Sequence, residues 1–285
     1  MVKVLLASCA SLPTGDGDDD ALVGALADVG VDAAWTVWGS GETADLVVLR
    51  STWDYTDRRD EFLAWCASVP VLANPAAVVP WNTDKSYMLD LERLGVPVVP
   101  TVLASSGFAD WPTGEFVIKP TVGAGSRGAL RVAAGDFETA AAHLAGLGGP
   151  ALVQPYQSAV DAVGETALVY FGGQYSHAFT KGAMLTEDAE YDESGLYIVE
   201  RLSGAHPTGP QQRVAEDALD AAAEHLGLRR TDFLYARVDL VADASGAPLL
   251  LELELVEPSL GFRQTDATAP LRFASAVRAA LRARS

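Results

Sequence analysis

Three carboxylates spaced for one face of a β-hairpin are the sharpest chemical signal in this 285-residue chain. Glu252 and Glu254 sit two apart in a Leu-rich run, so as strand residues they project to the same side. Asp239, in the run Arg237-Val238-Asp239 on the preceding strand, can join them across the hairpin. Carboxylates gathered on a face otherwise set in Leu and Val repel one another and lose hydration unless a cation neutralises them. Oxygen ligands without His or Cys suit magnesium, with manganese as the alternative, and beside nucleotide phosphates they suit a pair of ions. Taken alone, the same alternation also describes a solvent-facing strand.

A second constellation fits phosphate. Lys119 closes the apolar strand Phe116–Ile118 and opens a loop in which Gly123, Gly125 and Gly128 alternate with small residues. Such glycines let backbone N–H groups approach phosphate oxygens, and Ser126 and Arg127 can add donors. The order is neither a Walker loop nor a dinucleotide fingerprint, and it also fits a Gly-rich surface turn. Lys85, which alone would read as a solvated helix lysine, joins Lys119, Arg127, Lys181 and Arg237 as a local island of positive charge, the kind ATP requires.

Two further clusters fit a small substrate. Arg50-Ser51-Thr52-Trp53-Asp54-Tyr55 follows a buried strand, and open α/β sheets bind ligands at the carboxyl ends of strands. Arg50 can meet a carboxylate and Asp54 an ammonium, although the same run can cap and staple the next helix. Glu257 and Ser259, directly after the acidic strand, can hold the other half of the substrate, while His177 and His206 read as structural.

With 49% hydrophobic residues the chain can bury a large core, and its length suits two or three modest domains. A formal net charge of −18 argues against nucleic acid and anionic membrane surfaces as partners. Cys9 and Cys66 have no metal-ligand spacing and read as reduced thiols. The opening residues lack the flanks and length of a signal peptide and no apolar run reaches spanning length, so the chain reads as cytoplasmic.

The elements that must carry these residues follow from periodicity. Strands near 2–7, 31–37, 46–49 and 71–73 alternate with helices near 18–29 and 59–68, which predicts a small parallel sheet covered on both faces. Thr83 is expected to cap a helix ending at Gly95, followed by strands over 96–103 and 116–118, the Gly-rich loop, a strand at 129–132, a helix from Phe137 and a strand at 151–153. A hairpin over 165–179, a polar stretch from Lys181 to Pro210, a helix over 211–226, the acidic hairpin and a terminal helix over 271–281 complete the chain. Three segments are thus expected: 1–81, 82–157 and 158–285.

Taken in order from Asn82 to Ser259, these elements resemble the ATP-grasp superfamily, and especially its D-alanine–D-alanine ligase and glutathione synthetase branches. The resemblance implies an ATP-grasp fold, α/β plus α+β, with a Rossmann-like parallel-sheet domain first. It implies that Lys85 and Lys119 bind phosphates, that Gly123–Gly128 is a flap over them, and that Gln154-Pro155-Tyr156 is the hinge at the adenine. Glu165 would hold the ribose, Arg237 would steady the acyl transition state, and Asp239, Glu252 and Glu254 would be the metal ligands. Glu254 departs from the asparagine often found there, yet still offers oxygen. The Arg-Ser-Thr-Trp-Asp-Tyr run and Leu251–Leu260 are similar to the cyclo-ligases that close O-ureido-D-serine to D-cycloserine.

The function expected is an ADP-forming ligase that activates an amino-acid carboxylate as an acyl phosphate for attack by nitrogen, with Lys181 offsetting phosphoryl charge and Arg237 stabilising the oxyanion. A dipeptide ligase, a small-molecule kinase and a non-ligating ATP-binding module are the alternatives. Relatives of this kind imply a homodimer.

Overall fold

The computed structural model describes residues 2–185, 190, 192–199 and 201–283. Strands β1 (Val2–Ser8), β2 (Val31–Val37), β3 (Leu46–Leu49) and β4 (Leu72–Ala73) form an all-parallel sheet in the order β2-β1-β3-β4. Alternation along β1 sends Val4 and Leu6 to one face and Leu5 and Ala7 to the other. The first face is covered by helix α1 (Leu22–Asp28) together with the C-terminal helix, the second by Phe62 and Cys66 of α2 (Arg59–Ser68). The first segment therefore borrows part of its cover from the far end of the chain. Both cysteines are buried free thiols in this second core.

The helix expected from Asp18 begins only at Leu22. Asp18 and Asp19 are committed to tertiary bonds instead, Asp18 accepting from the Phe262 and Arg263 amides and Asp19 pairing with Arg50. Thr83 is likewise no N-cap. It ends α3 (Val78–Asn82), its hydroxyl donates back to the Val79 carbonyl, and α4 starts later (Tyr87–Arg93), leaving Lys85 in the intervening turn.

A second, antiparallel sheet orders as β5-β8-β6-β7 from β5 (Val102–Ala104), β6 (Phe116–Pro120), β7 (Leu130–Val132) and β8 (Ala151–Pro155). Helix α5 (Phe137–Leu147) packs Ala140 and Leu144 onto Phe116, Ile118 and Val153; Asp136 caps it, and Gly148 ends it at φ 68°. The strand expected over 96–103 is split by its prolines, with Val98 bridging Leu250 while 102–104 pair with β8.

The third sheet orders as β11-β10-β9-β12-β13. After the short α6 (Ala159–Val163), it is built from β9 (Glu165–Phe171), β10 (Gln174–Lys181), β11 (Leu202–Ala205), β12 (Tyr235–Ala242) and β13 (Pro248–Glu254). Helix α7 (Gly209–Leu226), opened by a Thr208–Gln211 capping box, lays Ala215, Ala218, Leu219 and Ala222 over Leu168, Tyr170, Val238 and Leu253. The opposite face carries Glu165, Ala167 and Val169 of β9, paired with Lys181 and Phe179 of β10 and with Arg237 and Asp239 of β12. Helix α8 (Ala269–Arg282) closes the chain against the first sheet. The polar stretch after Lys181 lies partly outside the described residues. Its described part holds β11 and the buried Leu196 and Ile198. Lys181 is not in that stretch but closes β10. Among the described residues no helix is long and apolar enough to cross a membrane.

Candidate active site

The β12–β13 hairpin sets Asp239 opposite Glu252 and Arg237 opposite Glu254, with a register shift directly after Asp239. Asp239, Glu252 and Glu254 each offer an oxygen within 4.8 Å of the others, an all-carboxylate donor set that fits a hard divalent cation. Basic side chains meet them: Arg237 grips Asp239 with two bonds of 2.9 Å and also reaches Glu254. Lys181 stands 2.7 Å from Asp239, and Lys85 2.6 Å from Glu252. Burial works against ionisation of all three, yet Lys85 and Lys119 bring Glu252 down to about 2, and Arg237 and Lys181 hold Asp239 below the usual carboxylate range. Glu254 is pushed up to about 8 by burial, and the neighbouring Glu252 and Asp239 add to the rise against Arg237. Glu254 is thus the least stabilised charge of the cluster, and a divalent cation held by all three would favour its ionised form.

Each lysine is placed differently. Lys85 ties the Gly-rich loop to the hairpin: its amide donates to the Thr121 carbonyl at 2.7 Å and its Nζ to the Gly123 carbonyl at 2.8 Å. Lys181, buried, sits between Asp239 and Glu165, the latter at 2.9 Å. Lys119, on β6, makes no ion pair among the described residues. Burial, with Lys85 and Lys181 nearby, pushes its pKa down although Glu252 and Glu165 pull it up. A desolvated cation with its charge uncommitted is what an incoming phosphate would neutralise.

In the loop itself Gly125 and Gly128 take φ values of 59° and 73°, and Ser126 one of 60°. Gly125 packs against the described part of the polar stretch; its carbonyl accepts from the Ile198 amide at 3.2 Å, and a Cβ there would lie 2.4 Å from the Leu196 carbonyl oxygen. Ser126 and Arg127 are engaged within the protein rather than free for phosphate: Ser126 Oγ faces Met184 Sδ at 3.6 Å, and Arg127 reaches Thr56 and, at 3.4 Å, Asp57. Gly125→Ala, facing both a positive φ and a backbone clash, is expected to lift this loop and raise the KM for ATP about tenfold. Steady-state kinetics over an ATP series checks it.

At the expected hinge, Gln154, Pro155 and Tyr156 all line the cavity, with Arg131 3.7 Å over the Tyr156 ring. Gln154 is largely buried there, its amide donating to Thr101 Oγ1 at 2.8 Å. Glu165 lines the cavity with its carboxylate already paired to Lys181.

The substrate-side expectations divide. Trp53, Tyr55, Glu257 and Ser259 line the same cavity of about 400 Å³ as the lysines and the hairpin. Tyr55 bonds the Glu257 carboxyl, which burial pushes up to about 7 against that bond and Lys85. Arg50, Ser51 and Asp54 do not line it. Arg50 is 1% exposed and forks onto Asp19 at 2.9 and 3.0 Å, so it cannot receive a substrate carboxylate. Ser51 is buried, its carbonyl accepting from the Cys9 amide, and Asp54 is taken by Trp38 Nε1 and Arg58. In their place stand residues that sequence reasoning passed over: Asp16, Asp18, Arg263 and Gln264. The acidic run at the carboxyl end of β1 was the available signal for the first two. Asp16 rises to about 7 through burial and the charges of Asp19 and Asp18, and its Oδ1 is shielded with no hydrogen-bond partner among the described residues.

A hairpin of carboxylates at the edge of one antiparallel sheet, sharing a cavity with the lysine and Gly-rich loop of a second, defines an ATP-grasp carbon–nitrogen ligase, which uses ATP and a divalent metal. The chain is 38% identical to the cycloserine biosynthesis protein DcsG of Streptomyces lavendulae, over 97% of both chains. It belongs to the DcsG family. The profile of the N-terminal domain of D-cycloserine synthetase DcsG matches residues 4–74. A crystal structure of D-cycloserine synthetase DcsG superposes with a TM-score of 0.85 at 35% identity, covering 98% of this chain and 99% of that one. D-alanine–D-alanine ligase from Bacillus anthracis, at 12% identity and a TM-score of 0.65 over 100% of this chain and 99% of that one, shares the fold.

Proposed function

We propose that this ligase closes O-ureido-D-serine to D-cycloserine. The observation that carries the reading is one continuous cavity lined both by Lys119, Glu252 and Glu254 and by Trp53, Tyr55, Glu257 and Ser259. Phosphoryl donor and amino acid would then meet in one cavity, and kinship to a cycloserine biosynthesis protein supports a precursor of that ring as the amino acid.

The substrate carboxylate attacks the γ-phosphorus of ATP and becomes an acyl phosphate, while Lys119 and Lys85 offset the charge on the transferred group. Magnesium, as two ions or with manganese in its place, would be held by Asp239, Glu252 and Glu254 and would neutralise the bridging phosphate oxygens. The substrate nitrogen bonded to oxygen then attacks the acyl carbon, phosphate leaves, and Arg237 stabilises the oxyanion of the tetrahedral intermediate. Water takes the carbamoyl group from the ring nitrogen as carbamate, which breaks down to carbon dioxide and ammonia. Gly123–Gly128 keeps bulk water from the acyl phosphate. Asp16 supplies the counter-charge for the substrate ammonium that Asp54 cannot. Asp16→Asn is expected to raise the KM for the amino acid about tenfold and leave that for ATP unchanged, the loss of one charge-assisted bond. Initial rates with each substrate varied in turn check it.

The test is a panel of O-ureido-D-serine, its L-enantiomer, D-serine and D-alanine with ATP and magnesium, followed for ADP, ammonia and product mass. Ring and ammonia from the D-ureido compound support the reading. A dipeptide from D-alanine, or a stable phosphorylated amino acid, would replace it with a dipeptide ligase or a kinase. The reading places the reaction in the cytoplasm and the chain in a homodimer, for which light scattering should give twice the 29.9 kDa chain mass.

A further inference from the structure

Beyond β13 the chain runs through Leu255–Leu260 in neither strand nor helix, yet every carbonyl along it is taken by a side chain from another part of the fold. Asn74 Nδ2 donates to Leu255 O at 2.7 Å, Tyr235 Oη to Val256 O at 2.7 Å and Trp53 Nε1 to Glu257 O at 2.8 Å. Arg50 donates to Pro258 O at 2.9 Å, Arg237 to Ser259 O at 2.9 Å and His177 Nε2 to Leu260 O at 2.7 Å. Backbone carbonyls are ordinarily satisfied by a neighbouring strand, a helix or water. Six in succession held by six separate side chains fix the path of this segment through tertiary structure alone.

The last rung is the most informative. A carbonyl only accepts, so His177 Nε2 carries the proton; Nδ1 then accepts from Ser176 Oγ at 2.9 Å, and Ser176 Oγ accepts in turn from Arg272 Nε at 2.8 Å. Immediately after this rung the chain turns at Gly261, φ 64°, where a Cβ would lie 2.3 Å from the Phe179 ring. Alternation along the extended segment leaves Glu257 and Ser259 facing the cavity, and the turn delivers Arg263 and Gln264 to it. His177 itself is buried outside that cavity.

We propose that these donors form a positioning ladder, with His177 a positioning residue that never touches substrate but sets where Glu257, Ser259 and the 263–264 turn meet the amino acid. This rests on the reading that those residues face the amino-acid substrate. A loosened rung shifts one wall of the site by a fraction of a residue, enough to misalign the attacking nitrogen and let water take the acyl phosphate.

The test compares His177→Phe, which keeps a ring and removes the donor, with His177→Gln, whose amide can restore it. His177→Phe is expected to raise the KM for O-ureido-D-serine about tenfold and to release roughly two or more ADP per ring, with the KM for ATP within about twofold of the parent; His177→Gln should recover most of both. Tyr235→Phe removes another rung from outside the cavity and should show the same split if His177→Phe does not fold. Parental coupling and KM in His177→Phe and Tyr235→Phe would overturn the ladder, as would equal damage to both substrates that His177→Gln does not repair. Hydrogen exchange of 255–264 separates this from the function it rests on. If the parent makes no ring, that function fails. The ladder then stands if His177→Phe accelerates exchange in this segment and His177→Gln restores it, and falls if exchange is unchanged.

Discussion

Glu252→Gln is expected to lower substrate-dependent ADP formation about 10³-fold, the scale seen when a preorganised electrostatic group is removed from a transition state. Glu252 is held in its ionised form against burial, drawn down to about 2 by Lys85 and Lys119, and it stands opposite Asp239 across the β12–β13 pairing. Glutamine keeps the shape and one oxygen but removes the charge that a divalent cation needs. It also releases Lys85 from its 2.6 Å pair, so the cation bridging loop and hairpin is no longer aimed. The substitution is isosteric and next to solvent-facing cavity, so the fold should survive it. A magnesium titration of the variant checks the assignment: the midpoint should move to higher concentration. An unmoved midpoint with intact turnover would remove Glu252 from the metal site.

Lys119→Met should show opposite signs in activity and stability. Turnover is expected to fall roughly 10²- to 10³-fold, because the cation proposed to balance transferring phosphoryl charge is gone. Stability is expected to rise slightly, because Lys119 is desolvated beside Lys85 and Lys181 and makes no ion pair among the described residues. Lys181→Met is the contrast. It strips Asp239 and Glu165 of a buried partner and should cost about 3–5 kcal/mol, the penalty of leaving a buried charge uncompensated. Melting temperatures of the two variants measured beside their rates decide between a functional and a structural lysine. A destabilised Lys119→Met would mean that its charge is spent on the fold.

What the sequence made legible was what local periodicity encodes. Glu252 and Glu254 share a face because strands repeat every two residues, and the partition of Val4 and Leu6 from Leu5 and Ala7 follows the same rule. Lys119 and its glycines stand out because strand, cation and loop are contiguous. Non-local pairing was invisible. Arg50 reads as a ligand for carboxylate until Asp19, 31 residues earlier, is seen to occupy it. Asp54 reads as a partner for an ammonium until Trp38 and Arg58 claim it. Lys181 reads as loop because the polar residues after it mask the strand it ends. Asp16 lies in an acidic run that local sequence cannot tell from a solvated surface, and the chain that returns beside it, bonded to Asp18 from the Phe262 and Arg263 amides, is 244 and 245 residues away. His177 has no neighbour in sequence that would betray its role; its partner is Leu260, 83 residues away.

The most direct measurement starts from O-ureido-D-serine labelled with ¹⁸O in its carboxylate. The labelled compound is incubated with ATP, magnesium and enzyme, and phosphate and amino-acid product are weighed by mass spectrometry. An acyl phosphate captured by nitrogen leaves one ¹⁸O in the released phosphate and one in the carbonyl of the ring, with label and ring appearing together. Unlabelled phosphate without ring would mean that ATP is hydrolysed and the carboxylate never activated, and the proposed chemistry would be wrong.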